Sequence, residues 1–139
     1  MNRDSLEQIL PTGYSIKDFN SQNQIAKIEQ SFADILVSKY VIDLNSDFND
    51  INIKDYQEKF ISKDYLDADG NIQWNYYLIF VRENFDGGTK REIEKDESYA
   101  RKFVLNEEEL KDYLDYQQSE VEQDEDVVAK WKQQLSAIG

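Results

Sequence analysis

The sequence predicts an α+β fold: a small antiparallel sheet packed on a long N-terminal helix, followed by two C-terminal helices. Three observations predict it. Apolar residues recur at helical spacing from Ile25 to Leu36; the run WNYYLIFV, Trp74 to Val81, reads as a strand; and two stretches near the C-terminus carry helical stripes. A length of 139 residues suits one compact unit. Within it the sequence separates an α+β domain over 1–118 from an acidic connector and C-terminal helix over 119–139.

Ile25, Ile28, Phe32, Ile35 and Leu36 predict a helix over 21–39, with Asn20 or Ser21 as its cap. A short strand near 40–44 follows, then a loop or edge strand, then a helical or extended piece at 55–62. Asp69-Gly70-Asn71 has turn chemistry, because Gly and Asn tolerate positive φ. Beyond it, Ile72, Trp74, Tyr76, Leu78 and Phe80 fall on one face of a strand and Gln73, Asn75, Tyr77, Ile79 and Val81 on the other. The first half alternates in polarity and the second is apolar on both sides, the pattern of a strand covered on two faces at one end. Asp86-Gly87-Gly88 predicts the next reversal, REIEKDESYARKFVL a return strand or short helix, and Lys102–Leu105 a brief strand. Asn106 with Glu109 imitates a capping box before a helix with Leu110, Tyr113 and Leu114 on its apolar stripe. A last helix from about Asp124–Asp126 would align Val127, Val128, Trp131, Leu135 and Ile138.

Composition excludes much chemistry. The chain has neither cysteine nor histidine, which removes disulfides, thiolate and imidazole metal sites, cysteine nucleophiles and histidine bases. The N-terminal MNRDSLEQIL lacks an apolar signal core, and no segment approaches the roughly eighteen apolar residues of a membrane span. A soluble, cytoplasmic protein is expected. The net charge of −13 is local: NEEELKDYLDYQQSEVEQDED, residues 106–126, holds ten acids and one lysine.

Several motifs fail on inspection. With Gly70 in the sixth position of a calcium loop, Tyr65 and Tyr76 would occupy the first and twelfth, where carboxylates are needed. Glu109-Leu110-Lys111 has the Glu-x-Lys spacing of a metal nuclease but falls just inside a predicted helix. Gly87-Gly88 lacks the rest of a phosphate loop. Lys90-Arg91 and Arg101-Lys102 are the only adjacent basic pairs, too few for a nucleic-acid stripe. No pair of carboxylates stands out for acid–base work, so a non-enzymatic protein without cofactor or metal is expected.

From Trp74 to Leu114 the order WNYYLIFVREN, a glycine turn, EIEKDESYARKFVL and EEELKDYL resembles small accessory proteins encoded beside ATPases of the SMC or ABC type in bacterial anti-phage defence operons. The resemblance implies a middle subunit that bridges or regulates an ATPase and an effector, with no catalytic residues. The expected activity is docking to a protein partner with a basic surface, without direct nucleic-acid or membrane binding. Glu107, Glu108, Asp112, Asp115, Glu122, Asp124, Glu125 and Asp126 would supply the charge, and Trp131 and Leu135 an apolar anchor. The alternative is an acidic DNA mimic of the phage anti-restriction or anti-CRISPR type, although a mimic should spread its acids over more than about 21 residues.

Overall fold

The computed structural model describes residues 1–45 and 51–123. Its elements run α1 (Arg3–Ile9), β1 (Tyr14–Asn20), β2 (Ile25–Phe32), β3 (Ile35–Asp43), α2 (Ile53–Phe60), α3 (Ser62–Asp67), α4 (Gly70–Trp74), β4 (Tyr76–Val81), α5 (Gly87–Lys95), β5 (Arg101–Leu105) and α6 (Glu107–Gln123). The α+β expectation holds. The five strands form one sheet in the order β1-β2-β3-β4-β5. The sheet is mixed rather than antiparallel: β1–β2 and β2–β3 pair antiparallel, β3–β4 and β4–β5 parallel. Parallel neighbours need crossovers, and α2 to α4 and then α5 provide them.

The long N-terminal helix does not exist. Residues 25–43 form the β2–β3 hairpin, and the first helix is the short α1. The helical spacing of Ile25 and Ile28 arises because they face opposite sides of a strand: Ile28 joins the core with Ala26, and Ile25 joins the other core with Val41. The hairpin turns at Ala33 and Asp34, both with positive φ (51° and 65°), between the paired Phe32 and Ile35. That conformation suits a two-residue hairpin but lacks the usual Gly.

The sheet is covered on both faces. On the first, Leu6 of α1 and Leu110 and Leu114 of α6 pack over Ile28, Tyr40, Ile42 and Ile79. On the second, Tyr56 of α2 and Ile93 of α5 pack over Val41, Leu78, Phe80 and Val104. β4 lies between the layers with all six residues buried, as its two-sided apolar pattern predicts. Each of Leu78, Ile79 and Phe80 is fully buried, a stabilisation of about 1.5–3 kcal/mol per side chain. Aromatic rings bridge the strands of the first face: Tyr14 to Tyr40 at 5.5 Å and Tyr40 to Tyr77 at 5.0 Å between centroids, with Tyr113 of α6 at 6.3 Å from Tyr77.

The strand predicted from Ile72 begins only at Tyr76. Asp69 accepts a hydrogen bond from Ile72 N at 3.1 Å and so caps α4 rather than opening a hairpin. Asp86 caps α5 in the same way, accepting from Thr89 N at 3.0 Å. Trp74 closes α4 on the surface, 73% exposed, instead of lying in the sheet core. The piece at 55–62, which the sequence reads as helical or extended, is the helix α2, beginning and ending two residues earlier. The second C-terminal helix lies outside the described residues, and α6 runs from Glu107 to Gln123.

A buried ion pair ties the ends of the parallel strands together. Arg82 Nη2 donates to Asp43 Oδ1 at 3.0 Å, Arg82 Nη1 donates to the Asp43 carbonyl at 3.0 Å, and the Tyr56 hydroxyl donates to Asp43 Oδ2 at 2.7 Å. At the edge of the sheet, the Val104 N–H donates to Glu94 Oε2 at 3.0 Å, so α5 satisfies a group that would otherwise face an incoming strand.

Candidate interaction surface

The acidic helix α6 begins where the sequence places it. Glu109 N donates to Asn106 Oδ1 at 2.8 Å, and Asn106 N donates to Glu109 Oε1 at 3.0 Å, a reciprocal capping box with Asn in the place of Ser or Thr. Three acids in the first turn, Glu107, Glu108 and Glu109, match the positive end of the helix. Leu110 and Leu114 are fully buried and fix which side of the helix faces the sheet. Lower down, Gln30 Nε2 donates to Gln118 Oε1 at 3.2 Å, and Gln30 Oε1 accepts from Ser38 and Tyr40 hydroxyls at 2.6 and 3.2 Å. This buried polar network anchors the second half of α6 to the hairpin.

With that side held, the opposite side is presented to solvent. Glu108, Asp112, Asp115, Ser119 and Glu122 are all exposed and recur at steps of four and three residues. They make a line about 21 Å long, given a rise of about 1.5 Å per residue. Glu107 flanks it, 3.0 Å from the Met1 amino group. Lys111 pairs with Asp115 at 3.2 Å, and Glu122 accepts from Gln118 at 3.0 Å. Among the described residues, Glu108 and Asp112 meet no cation within 4.0 Å. Five of the ten expected docking residues, Glu107, Glu108, Asp112, Asp115 and Glu122, thus share one helix; Asp124, Glu125, Asp126, Trp131 and Leu135 lie outside the described residues.

Sequence reasoning missed Tyr116. It stands 59% exposed, four residues after Asp112 and four before Glu120, and so brings an aromatic ring into the acidic face. The signal was available in the periodicity: a helix that buries Leu110 and Leu114 turns position 116 well away from the core. Leu66 and Trp74 are the other large apolar side chains left exposed among the described residues.

The remaining acids do other work. Glu109 of the Glu-x-Lys triplet caps its helix, while Lys111 is exposed beside Asp115. Among the described residues no three Asp or Glu side chains gather at metal-binding distance, and no helix is long and apolar enough to cross a membrane. Comparison with family models, with curated proteins and with solved structures found no match.

Proposed function

We propose that this chain is a non-enzymatic, cytoplasmic interaction protein, an accessory subunit of a bacterial anti-phage defence complex, that docks through the outer face of α6 to a basic surface on a protein partner. The observation that carries the docking reading is the line Glu108, Asp112, Asp115 and Glu122, displayed by a helix whose other side is locked by Leu110 and Leu114. A rigid display of charge favours association because little order is lost on binding. The defence setting rests on the resemblance of the Trp74–Leu114 segment. DNA mimicry is disfavoured, since a mimic needs acids over much of its surface and the far side of this sheet interleaves Lys17, Lys27, Lys39 and Lys59 with Asp18, Glu29 and Asp64.

The test is co-purification of the full chain with the products of genes adjacent to its own. Glu108→Lys, Asp112→Lys and Asp115→Lys together should abolish capture, and raising salt from about 0.05 to 0.5 M should weaken the wild-type complex. Capture that is indifferent to both changes would refute the acidic face as the docking surface. A purified chain that inhibits a DNA-binding enzyme unaided would favour mimicry instead.

A further inference from the structure

We infer that Tyr116 is a stacking platform for arginine, so that the partner of α6 presents guanidinium groups rather than lysine ammoniums. This rests on the docking reading of α6 and names the cation which that face selects.

The first observation is the ring itself. Of the nine tyrosines in the chain, Tyr116 alone has neither a hydrogen bond nor a ring contact among the described residues. The others either place the hydroxyl on an acceptor, as Tyr56 does on Asp43, or pack against another ring, as Tyr113 does against Phe103 at 5.2 Å. Tyr116 also stands at the middle of the line from Glu108 to Glu122, where the anchors of an interface gather. The second observation is its setting. A helix turns by about 100° per residue, so Asp112 and Glu120 lie one turn before and one turn after Tyr116, their Cβ atoms about 5–6 Å from its own. Both carboxylates are exposed, and neither meets a cation within 4.0 Å among the described residues. Trp74, the other ring left widely exposed among the described residues, lacks this setting along its helix: Gly70 and Asn71 precede it by one turn.

An open ring between two carboxylates selects guanidinium. The guanidinium face is planar and weakly hydrated and stacks on an aromatic ring, while its edge carries N–H donors that fork onto carboxylates. One arginine can therefore cover Tyr116 and donate to Asp112 or Glu120 at the same time. An ammonium is a compact, strongly hydrated point charge, which satisfies a carboxylate without covering the ring. Fixing a tyrosine on binding costs little order, because only two side-chain torsions are involved.

The full chain would be titrated with end-blocked hexa-arginine or hexalysine while its amide chemical shifts are followed. Both peptides should shift residues 108–122 saturably. Tyr116→Ala should weaken hexa-arginine about fivefold and hexalysine by less than about twofold, and Tyr116→Phe, which keeps the ring, should retain the wild-type affinities. Position 116 is exposed and alanine is the best helix former, so the variant keeps the fold. Trp74→Ala should leave both affinities unchanged. Equal losses for the two peptides on Tyr116→Ala, or no loss for either, would overturn the inference and leave the docking face standing. Shifts confined to other elements, with α6 silent, would remove the docking face and the inference with it.

Discussion

Lys102 reaches back from β5 into the loop before it and donates to the carbonyls of Asp96, Ser98 and Ala100 at 2.9, 2.6 and 2.7 Å, while its ammonium lies 2.9 Å from the Asp96 carboxylate. The side chain is fully buried, and Tyr99 within the loop takes φ 59°. Lys102→Met would strand three carbonyls and remove the cation from Asp96, whose carboxylate keeps only the Gln57 amide and the Ser98 N–H, a loss of about 3 kcal/mol that urea unfolding would measure. Gly13 is a second constrained position: it has φ +101°, and a Cβ there would come within 2.9 Å of the Ser31 carbonyl oxygen. Gly13→Ala should cost about 2 kcal/mol. Asp64 adds a dependence on pH. Burial alone would raise its carboxyl, but the Tyr76 hydroxyl, Lys39 and Lys27 together hold it below its ordinary value of 3.8. The folded state therefore favours the ionised form, a contribution present above that value and lost as pH falls through the lower folded one. Asp64→Asn should destabilise the chain modestly at neutral pH, and its difference from wild type should vanish in acid melts.

At the scale of elements, α6 and β4 were legible because their signals are local. The Asn106–Glu109 box and the Leu110/Leu114 stripe lie within three turns, and the structure realises both. Asn106→Ala should cost about 1 kcal/mol in thermal unfolding by removing the cap. The β2–β3 hairpin was illegible because its residues serve two cores: spacing of three places Ile25 and Ile28 on opposite faces of a strand as readily as on one face of a helix. Its turn, through Ala33 and Asp34, carries no glycine to break the helical reading. Asp69-Gly70 and Asp86-Gly87 misled for a related reason, since an Asp before Gly caps a helix as well as it starts a turn. The docking face was half visible: its acids show in composition, whereas the mixed charges of the sheet margin, Lys17, Asp18, Lys27, Glu29 and Lys39, come together only through the pairing of β1, β2 and β3.

Across the whole molecule, the unbalanced charge sits on one layer. The acidic line stands on the α6 side of the sheet, whereas lysines and carboxylates mingle along the sheet margin on the side of α2 and α3. Replacing Glu108, Asp112 and Asp115 with Lys alters only exposed side chains, at the cost of one helix-end charge and the Lys111–Asp115 pair, so stability should change by no more than about 1 kcal/mol per site; a thermal melt would separate lost docking from lost fold. The bridged rings have an optical consequence. Burial raises the phenols of Tyr14, Tyr56, Tyr76, Tyr77 and Tyr113, and Tyr40 is pushed up to about 12. Because the native state keeps these protons, stability is undiminished below the ordinary value of 10 and drains away as alkalinity climbs through the raised ones. In base, the near-ultraviolet phenolate band should therefore grow in two stages, a small reversible rise from surface rings and then an abrupt one as the layers part, so that the protein reports its own alkaline collapse without an added dye.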